Sequence, residues 1–390
     1  MKIVFVSNYI NHHQIPFCNA MHDKLGENFT FIQMEPMEEE RIRMGWNPDD
    51  QPVYVKYGYQ DPEECARLVM DSDVVIWGGA EDETFLKPRL GQKKPVIRYS
   101  ERLYRTGQWK AISPRGLKKK YLDHTRYNNA PVCLLCAGAY VPSDFHIIKA
   151  YPDKKFKWGY FPETKSYNTD KLMEGKKPAQ ILWVARLIPL KHPELPIETA
   201  RYLKDKGYAF HLNIVGGGEC EPEVFQLIEK YHLQEYVTLC GVKNPQEVRT
   251  YMEEADVFLM TSDRNEGWGA VINEAMNSGC AVVANHMIGA VPFLLQHGRN
   301  GLIYKDSRNQ QLFELTESLI KDRAYCHTLG RRAYETISQE WNAETAAQRL
   351  YELCENFFFG EDRQLPTSGP CSAAPVISER AMYGYLMKGK

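Results

Sequence analysis

Residues 256–284 read DVFLMTSDRNEGWGAVINEAMNSGCAVVA, and this stretch decides the expected fold. A continuous apolar run comes first, a glycine-rich loop follows at 266–270, and a short helical segment then stops at Gly279 before a second apolar run. Continuous rather than alternating apolarity is typical of a parallel strand, because helices cover both faces of a parallel sheet. The stretch therefore predicts one strand–helix–strand unit of a doubly wound α/β domain.

The same alternation of strand and helix recurs in both halves of the chain. The predicted strands are 2–7, 29–33, 73–77, 95–99 and 132–137 in the first half, and 180–185, 210–215, 236–240, 256–261, 281–284 and 301–304 in the second. Amphipathic helices are predicted between them, among them 194–206 and 245–255. The pattern predicts α/β architecture with two doubly wound, Rossmann-like domains.

The composition of the segments between these elements predicts the domain boundaries. We expect an N-terminal domain over 1–162 and a polar interdomain linker without periodicity over 163–178. A C-terminal domain is expected over 179–340. Residues 341–360 carry a dense apolar face at helical spacing, which predicts a helix that packs back towards the N-terminal domain. Residues 361–390 begin with a stretch rich in Pro, Ser and Gly and are expected to form an extended tail.

Composition excludes several classes of protein. The 390 residues include 48 Lys and Arg against 50 Asp and Glu, without the basic surplus of a dedicated nucleic-acid binder. No stretch approaches the ~18 consecutive apolar residues of a spanning helix, and the apolar run in 1–7 is too short for a signal-peptide core. Ten scattered cysteines suit a reducing compartment. We therefore expect a cytoplasmic protein.

Two polar features follow neighbouring strands of the second predicted sheet. Arg186 and Lys191 come directly after strand 180–185, and Gly217 lies in a triple-glycine turn after strand 210–215. Two cations at a strand end suit a diphosphate, and glycines allow close approach of the backbone to a ligand. The alternative for the cations is ordinary surface charge at a helix start, and for the glycines a tight strand-to-helix turn.

The third feature is the glycine-rich loop itself. Glu266 lies in the loop and Glu274 more than one helical turn further on, so that both can face one site and contact different parts of a long ligand. The N-terminus of the helix offers free N–H groups to an anion. The alternative is that Glu266 is a solvated loop charge and that Glu274 caps another backbone segment.

Taken in order, these motifs resemble the donor domain of retaining glycosyltransferases of family 4 (glycosyl transferases group 1). R-x4-K, a glycine turn, a strand ending in Ser, E-G-x-G-x-V-x-x-E-A-M, and then a glycine and an apolar strand match closely over 178–305. The N-terminal half is similar only in its layout. The resemblance implies the glycosyltransferase-B fold, in which two Rossmann-like domains face a cleft.

The resemblance also implies roles for the motif residues. Arg186 and Lys191 would neutralise the diphosphate, Glu266 would contact hydroxyls of the donor sugar, and Glu274 would hold the ribose. The remaining implied donor-binding residues are Gly217, Trp268, Gly269 and Ala270, with Val242 near the base. Phe293 departs from the family, where many members carry a glutamate, and we interpret this as a change at the rim of the site.

The acceptor side is expected in the N-terminal half. Asn11, His12 and His13 follow the first strand and could hydrogen-bond an acceptor hydroxyl or the donor phosphate, or could simply be loop residues that start a helix. After strand 95–99 many members of the family place a histidine facing the reacting centre, and here Glu101 is the candidate for that role. We expect Glu266, Arg186, Lys191 and Glu101 to carry the catalysis.

Residues 102–126 concentrate positive charge, with eight Lys or Arg against one Asp. Interleaved with Tyr104, Trp109, Leu117 and Tyr121, they predict contact with an anionic membrane surface, a setting that also suits the lipid-linked acceptors of many family members. The alternative is a solvated helix face beside a cleft.

The resemblance implies transfer of a sugar, with retention, from a nucleotide diphosphate sugar, UDP-sugars among the candidates, to a glycan or lipid-linked saccharide acceptor. The expected setting is polysaccharide, capsule or cell-wall biosynthesis, with the protein cytoplasmic or peripheral on the inner face of the membrane. No metal, other cofactor or nucleic acid is expected to take part. Two alternatives stay open: a nucleotide-sugar 2-epimerase of the same fold, and a non-catalytic partner of another transferase.

Overall fold

The computed structural model describes residues 1–39, 51–362 and 364–388. The chain divides into two compact units. The first unit contains Met1–Glu163 and Trp341–Ser378, and the second contains Thr164–Glu340 and Glu379–Lys390. Each unit is built around one parallel sheet.

The strands in the described ranges are β1 (Ile3–Ser7), β2 (Phe29–Gln33), β3 (Val55–Tyr57), β4 (Val74–Trp77), β5 (Val96–Ser100), β6 (Val132–Ala137), β7 (Lys155–Trp158), β8 (Gln180–Val184), β9 (His211–Val215), β10 (Val237–Gly241), β11 (Val257–Met260), β12 (Ala281–Asn285) and β13 (Leu302–Tyr304). The first sheet has the order β3-β2-β1-β4-β5-β6-β7 and the second β10-β9-β8-β11-β12-β13. Each order reverses once, between β1 and β4 in the first sheet and between β8 and β11 in the second.

The α-helices in the described ranges are α1 (Ile15–Leu25), α2 (Pro62–Asp71), α3 (Leu86–Gly91), α4 (Pro114–Asp123), α5 (Val141–Ile147), α6 (Thr169–Gly175), α7 (Glu194–Asp205), α8 (Glu221–Lys230), α9 (Pro245–Glu254), α10 (Val271–Asn277), α11 (Val291–Leu294), α12 (Asn309–Lys321), α13 (Arg323–Gln339), α14 (Ala343–Phe359) and α15 (Glu379–Met387). Short 3₁₀ turns occur at Gly26–Asn28, Gln108–Ile112, Thr125–Tyr127 and Pro189–Lys191. None of the helices in the part of the chain that the structure describes has the length and apolarity that a membrane crossing requires.

Local sequence explains where many of these elements begin. The carboxylate of Asp61 caps α2, and Asn244 forms a reciprocal capping box with Glu247 at the start of α9. Such caps satisfy backbone N–H groups that would otherwise lack a partner in the first helical turn. Every residue of β1, β2, β4, β6 and β12 is buried, as expected for strands covered by helices on both faces.

The predicted fold class is confirmed, and each of the eleven predicted strands is present. Two edge strands of the first sheet, β3 and β7, were not predicted. β3 has only three residues, and β7 reads KFKW, whose lysines break the apolar run. Lys155 of β7 is nevertheless buried, because its ammonium donates to the carbonyl oxygens of Tyr151 at 2.7 Å and Ala150 at 3.3 Å.

The predicted linker and tail differ from the structure. The stretch 163–178 contains α6 and lies almost entirely in the second unit. There Lys176 is buried, and its ammonium donates to the carbonyl oxygens of Ala255 at 2.7 Å and Ser278 at 2.9 Å. The expectation of an extended tail over 361–390 is wrong for its last part, which forms α15 in the second unit. Pro and Gly are absent from most of that last segment, so helix formation is allowed.

The segment before α15 adds to the first unit. The backbone of Cys371 and Ala374 donates to the carbonyl oxygens of Lys157 and Lys155, both at 2.9 Å, so this segment pairs with the exposed edge of β7. Covering an edge strand removes a site of unwanted pairing with other chains. Helix α14 also belongs to the first unit, where it packs against α1.

Candidate active site

The point where the strand order of the second sheet reverses brings two loops together. Thr261, directly after β11, donates its hydroxyl proton to the carbonyl oxygen of Lys191 at 2.7 Å and accepts a bond from the indole of Trp183 at 2.8 Å. The backbone N–H of Asp263 donates to the carbonyl oxygen of Leu190 at 3.0 Å. The loops after β8 and β11 are thus bonded to each other at the edge where open α/β sheets bind ligands.

These bonds place Lys191 beside Glu266. The two side chains form an ion pair, and each is only 14% exposed. The backbone N–H of Glu266 donates to the carbonyl oxygen of Asp263 at 3.1 Å, which holds the loop in a turn. The structure therefore brings together Lys191, predicted to bind the diphosphate, and Glu266, predicted to bind the sugar, which are 75 residues apart in sequence.

Arg186 lies in the same loop as Lys191 and is exposed. Its guanidinium makes no ion pair with any residue in the described ranges. A second cation is therefore accessible close in sequence to the Lys191–Glu266 pair. Such an arginine can bind two oxygens of a phosphate at once.

The triple-glycine turn after β9 packs against the loop after β8. Gly216 has φ +143°, and a Cβ there would overlap the carbonyl oxygen of Ala185. Its N–H donates to the carbonyl oxygen of Gly241 at 2.9 Å, which ties the turn to the end of β10. Only glycine permits this approach, so three consecutive loops meet along one edge of the sheet.

Gly217 and Val242 are neighbours in this arrangement. A Cβ on Gly217 would lie 3.0 Å from Cγ2 of Val242. Val242 is 73% exposed and follows β10 directly. An exposed apolar side chain at this edge offers a flat contact for a ligand ring. The two residues predicted to contact the nucleotide thus lie together.

Trp268, Gly269 and Ala270 lead into α10. The indole of Trp268 is buried and donates to Oδ1 of Asn273 at 2.9 Å, so its side chain anchors the loop from inside. Gly269 has φ +85°, and a Cβ there would lie 3.1 Å from Ile288 Cγ2. The backbone N–H groups of Gly269 and Ala270 donate to no group in the described ranges. Phe293 lies beside this loop, with its ring centroid 6.4 Å from that of Trp268.

Glu274 lies in the first turn of α10, on the less buried side of the helix. Ile272, Ala275 and Met276 are fully buried, whereas Val271 and Glu274 are half-buried. The helix therefore turns its apolar side into the core and leaves Glu274 at the surface of the unit.

The N-terminal candidates lie in the first unit. Asn11 accepts a bond from the backbone N–H of His13 at 3.0 Å, and its carbonyl oxygen accepts from Gln14 and Ile15 at 2.8 and 3.0 Å. Asn11 therefore starts the turn that leads into α1. This geometry agrees with the alternative interpretation of Asn11 as a loop residue that begins a helix.

The rings of His12 and His13 lie against each other, with centroids 3.8 Å apart and the planes tilted by 49°. Burial lowers the pKa of His12 to about 4, and burial together with the neighbouring His12 lowers the pKa of His13 well below its usual value. Both rings are therefore neutral at neutral pH. A neutral imidazole can accept a hydrogen bond at one ring nitrogen and donate one from the other.

Glu101, directly after β5, accepts a bond from the hydroxyl of Tyr160 at 2.8 Å and forms an ion pair with Arg105. The ring centroid of Tyr160 lies 6.2 Å from that of His13. Tyr160 thus connects two predicted acceptor-side residues, but it was missed in the sequence. Tyr160 was not recognised because it follows β7, and the lysines of β7 interrupt the apolar pattern that would have marked that strand.

The basic stretch 102–126 is not one continuous surface. Arg102 is buried and pairs with the buried Asp144 at 3.3 Å. Tyr104 is also buried, and its N–H donates to the same carboxylate at 3.1 Å. The prediction that these two side chains contribute to an exposed surface is wrong, because a buried carboxylate draws the arginine inside.

No group of three or more His, Cys, Asp or Glu side chains within residues 1–39, 51–362 and 364–388 is arranged to hold a metal ion.

Comparisons with known proteins concern the family and the fold of the chain. Residues 166–336 match the family model described as glycosyl transferases group 1. WcaL of Salmonella typhimurium, whose name assigns it provisionally to colanic acid biosynthesis as a glycosyltransferase, is 32% identical over 184 residues, which cover 46% of this chain and 45% of WcaL. The amylovoran biosynthesis glycosyltransferase AmsK of Erwinia amylovora is 31% identical over the same shares. The aligned segments span just under half the length of these relatives.

Solved structures match over nearly the whole chain. Alr3699/HepE of Anabaena in complex with UDP superposes with a TM-score of 0.68 at 16% identity, covering 91% of this chain and 100% of that one. WaaG, a glycosyltransferase involved in lipopolysaccharide biosynthesis, gives a TM-score of 0.60 at 14% identity, with 92% and 100% covered. At these identities the likeness establishes the fold. Residues 166–336 are therefore similar to the glycosyl transferases group 1 family, and the chain has the two-Rossmann glycosyltransferase-B fold.

Proposed function

We propose that the protein is a retaining glycosyltransferase that moves a sugar from a nucleotide diphosphate sugar to a glycan or lipid-linked saccharide in the synthesis of a surface polysaccharide. The observation that carries the proposal is the Lys191–Glu266 pair, held where the strand order reverses. The glycine turn at Gly217 is bonded to the loop that carries Lys191, and Glu274 lies in the helix that follows the Glu266 loop. The names of AmsK and WcaL, which refer to amylovoran and colanic acid biosynthesis, support the polysaccharide setting.

The charges of the pair suit an exchange of partners. Without a donor, Lys191 and Glu266 neutralise each other in a place that is 14% exposed. When the diphosphate arrives, its oxygens replace the carboxylate on Lys191, and Glu266 becomes able to accept hydrogen bonds from sugar hydroxyls. Arg186 adds a second cation to the diphosphate. Both charges remain satisfied before and after binding, which avoids the cost of a buried unpaired ion.

The same groups stabilise the transition state. As the glycosidic bond breaks, the leaving diphosphate gains negative charge. Lys191, Arg186 and the N–H groups of Gly269 and Ala270 therefore bind the diphosphate more strongly in the transition state than in the ground state. In the proposal these protein groups fill the role that a metal ion would otherwise have.

Retention follows if the acceptor approaches on the face from which the diphosphate leaves. A phosphate oxygen of the leaving group takes the proton of the acceptor hydroxyl, the new glycosidic bond forms at the anomeric carbon, and the old one breaks. No protein nucleophile is needed. In the proposal Glu266 binds sugar hydroxyls and does not act as the nucleophile of a retaining glycosidase.

The nucleoside has a place in the same unit. Val242 offers its exposed side chain to the base, and Glu274 accepts hydrogen bonds from the ribose hydroxyls. On the first unit, the neutral His12 and His13 and the Glu101–Tyr160 contact provide acceptors and a donor for a polyhydroxyl acceptor.

Thermal stabilisation by UDP, GDP, ADP and CMP tests the donor site. A ligand that binds only the folded protein raises its unfolding temperature by mass action. We expect one diphosphate to stabilise the wild type and Lys171→Ala, which removes an exposed cation of the same unit elsewhere, but to fail with Arg186→Ala. If no nucleotide stabilises the wild type, the proposal is wrong.

The matching nucleotide sugars then test the reaction. Proton NMR of the product reports the anomeric configuration, and retention is expected. Conversion of the donor sugar in the absence of any acceptor, without glycoside formation, would instead identify an epimerase.

A further inference from the structure

The side chains of α4 are oriented opposite to those of an ordinary surface helix. No residue of α4 with a described side chain is buried. Its half-buried side consists of the polar or small residues Gly116, Lys120 and Asp123, whereas Leu117 and Leu122 are exposed. A surface helix normally turns its apolar side towards the core. In α4 the apolar side chains face solvent.

Specific bonds hold the helix in this orientation. Arg98, at the end of the buried part of β5, donates to the carbonyl oxygen of Asp123 at 2.9 Å and pairs with Glu83. Burial lowers the pKa of Lys120, and the nearby carboxylate of Asp123 opposes that shift. The polar side of α4 thus makes the contacts with the unit, so the outward position of the leucines is set by the packing.

The outward surface is rich in aromatic and aliphatic groups. We define the α4 face as the exposed side chains Trp109, Lys110, Arg115, Leu117, Lys118, Lys119, Tyr121 and Leu122. Trp109 is 68% exposed and Tyr121 is 55% exposed. Several large apolar side chains exposed on one short segment are typical of a surface that contacts a membrane or another protein.

Cations are interleaved with these apolar groups. Lys110, Arg115, Lys118 and Lys119 form no ion pair with a carboxylate in the described part of the chain. The ammonium of Lys110 lies 5.7 Å from the centroid of the Trp109 ring. Four unpaired cations on one short segment attract an anionic surface, and tryptophan and tyrosine favour the boundary between lipid headgroups and acyl chains.

We propose that the α4 face binds the surface of a bilayer that contains anionic lipid and holds the acceptor side of the enzyme there. The second part of this statement rests on the proposed function, and the first part does not. The α4 face follows Glu101 in the chain, and Arg105 of the connecting segment pairs with Glu101. The segment that binds the bilayer therefore lies close in sequence to the residues proposed to contact the acceptor, which suits an acceptor anchored in lipid.

A bilayer explains the whole surface better than an acidic protein does. An acidic protein would account for the cations. To bind the three separate apolar side chains of this narrow helix as well, it would need a pocket that matches them. A bilayer interface takes apolar and aromatic groups of any arrangement while its phosphates bind the lysines.

Co-sedimentation with vesicles tests the proposal directly. The full-length protein is mixed with vesicles of phosphatidylcholine alone or of phosphatidylcholine with phosphatidylglycerol, at low and physiological salt. We expect binding only to the anionic vesicles, weakening as salt rises. Lys118→Glu with Lys119→Glu should lower the partition coefficient by about 25-fold or more, since each interfacial cation contributes about fivefold.

Two further variants separate charge from insertion. Leu117→Ser with Tyr121→Ser should lower binding while keeping its salt dependence, because the cations remain. Arg67→Glu with Lys87→Glu makes the same charge change on exposed residues of α2 and α3, and should bind anionic vesicles like the wild type. An unchanged unfolding temperature shows that each variant is folded.

The proposal is overturned if the lysine variant binds as the wild type does, if the Arg67 and Lys87 control loses as much binding, or if both vesicle types bind equally. Nucleotide stabilisation is measured on the same samples. Vesicle binding without nucleotide binding would leave the α4 face standing and reject the transferase function. Nucleotide binding without vesicle binding would reject the α4 face as a membrane-binding surface and leave the transferase function standing.

Discussion

Lys191 and Glu266 show how two side chains can protect each other until a ligand arrives. Each is mostly buried, and each would lack a charged partner if the other were removed. Their functions in the proposed reaction differ, however, because Lys191 meets the phosphates and Glu266 meets the sugar. Substitutions at the two positions should therefore have different kinetic consequences.

Lys191→Met should weaken binding of the nucleotide diphosphate by about 10- to 100-fold, the range of one charge-assisted hydrogen bond. Glu266→Gln should leave that affinity within a few-fold of the wild type but lower turnover by about 100-fold, since it removes an interaction with the reacting sugar. Titration calorimetry with the nucleotide and steady-state assays separate the two. Equal losses of affinity in both variants would contradict the assigned roles.

Gly216 and Gly217 test the close approach of the glycine turn. Gly216→Ala should lower the free energy of unfolding by about 2–5 kcal/mol, because the new Cβ meets the carbonyl oxygen of Ala185 at a positive φ. Gly217→Ala is the matched control. Its Cβ meets only side-chain atoms, of Val242 at 3.0 Å and of Glu221 at 3.7 Å; both side chains are exposed and can move, so a loss below about 1 kcal/mol is expected. Urea unfolding measures both, and similar losses would show that backbone approach is not what requires glycine.

Helix α15 contacts the loop that carries Glu266. Glu379, its first residue, forms an ion pair with Arg264 of that loop. Tyr383 packs against His286 with ring centroids 5.3 Å apart and lies 5.8 Å from the ammonium of Lys305. The helix is therefore attached both to the loop after β11 and to the ends of β12 and β13.

Glu379→Gln should lower turnover by a few-fold while changing the unfolding temperature little. The pair is partly exposed and so contributes at most about 1 kcal/mol, but it restrains a loop whose position matters for catalysis. Arg380→Gln changes an exposed charge one residue further along the same helix and is the control. A loss of turnover in both variants, or in neither, would remove α15 from the positioning of the loop.

The molecule as a whole contains several histidines that stay neutral when folded. Burial lowers the pKa of His12 and of His286 to about 4 and that of His124 to about 2. In the unfolded chain these rings take up a proton near pH 6.5. His192 is the opposite case, since its hydrogen bond to Glu194 raises its pKa. Among the residues described, histidines with a lowered pKa outnumber those with a raised pKa.

The free energy of unfolding should therefore fall as the pH is lowered from about 7 to about 5, because the unfolded state binds more protons than the native state in that range. Each such histidine contributes a slope of up to about 1.4 kcal/mol per pH unit below its unfolded pKa. Urea unfolding at a series of pH values measures the slope. His286→Asn keeps an acceptor for the N–H of Asp306 and should give a shallower slope, whereas stability that is flat or rises on acidification would contradict the burial of these rings.

Much of this architecture is readable in the sequence because it depends on local periodicity. The apolar runs that became β1 and β6 needed no tertiary information, since a strand buried on both faces is continuously apolar. The order of Arg186, Lys191, Glu266 and Glu274 along the chain likewise predicted one ligand-binding edge, because the carboxyl ends of parallel strands meet there.

Tertiary structure alone decided the rest. The pairing of Lys191 with Glu266, the burial of Arg102 on Asp144 and the outward turn of Leu117 all depend on contacts between residues distant in the chain. The edge strand β7 was hidden by its lysines, and Lys155 is tolerated there because the carbonyl oxygens of Ala150 and Tyr151, in the turn before the strand, accept from its ammonium. Periodicity reports which side of an element is apolar, but it does not report which partners satisfy a charge, and charges are satisfied in three dimensions.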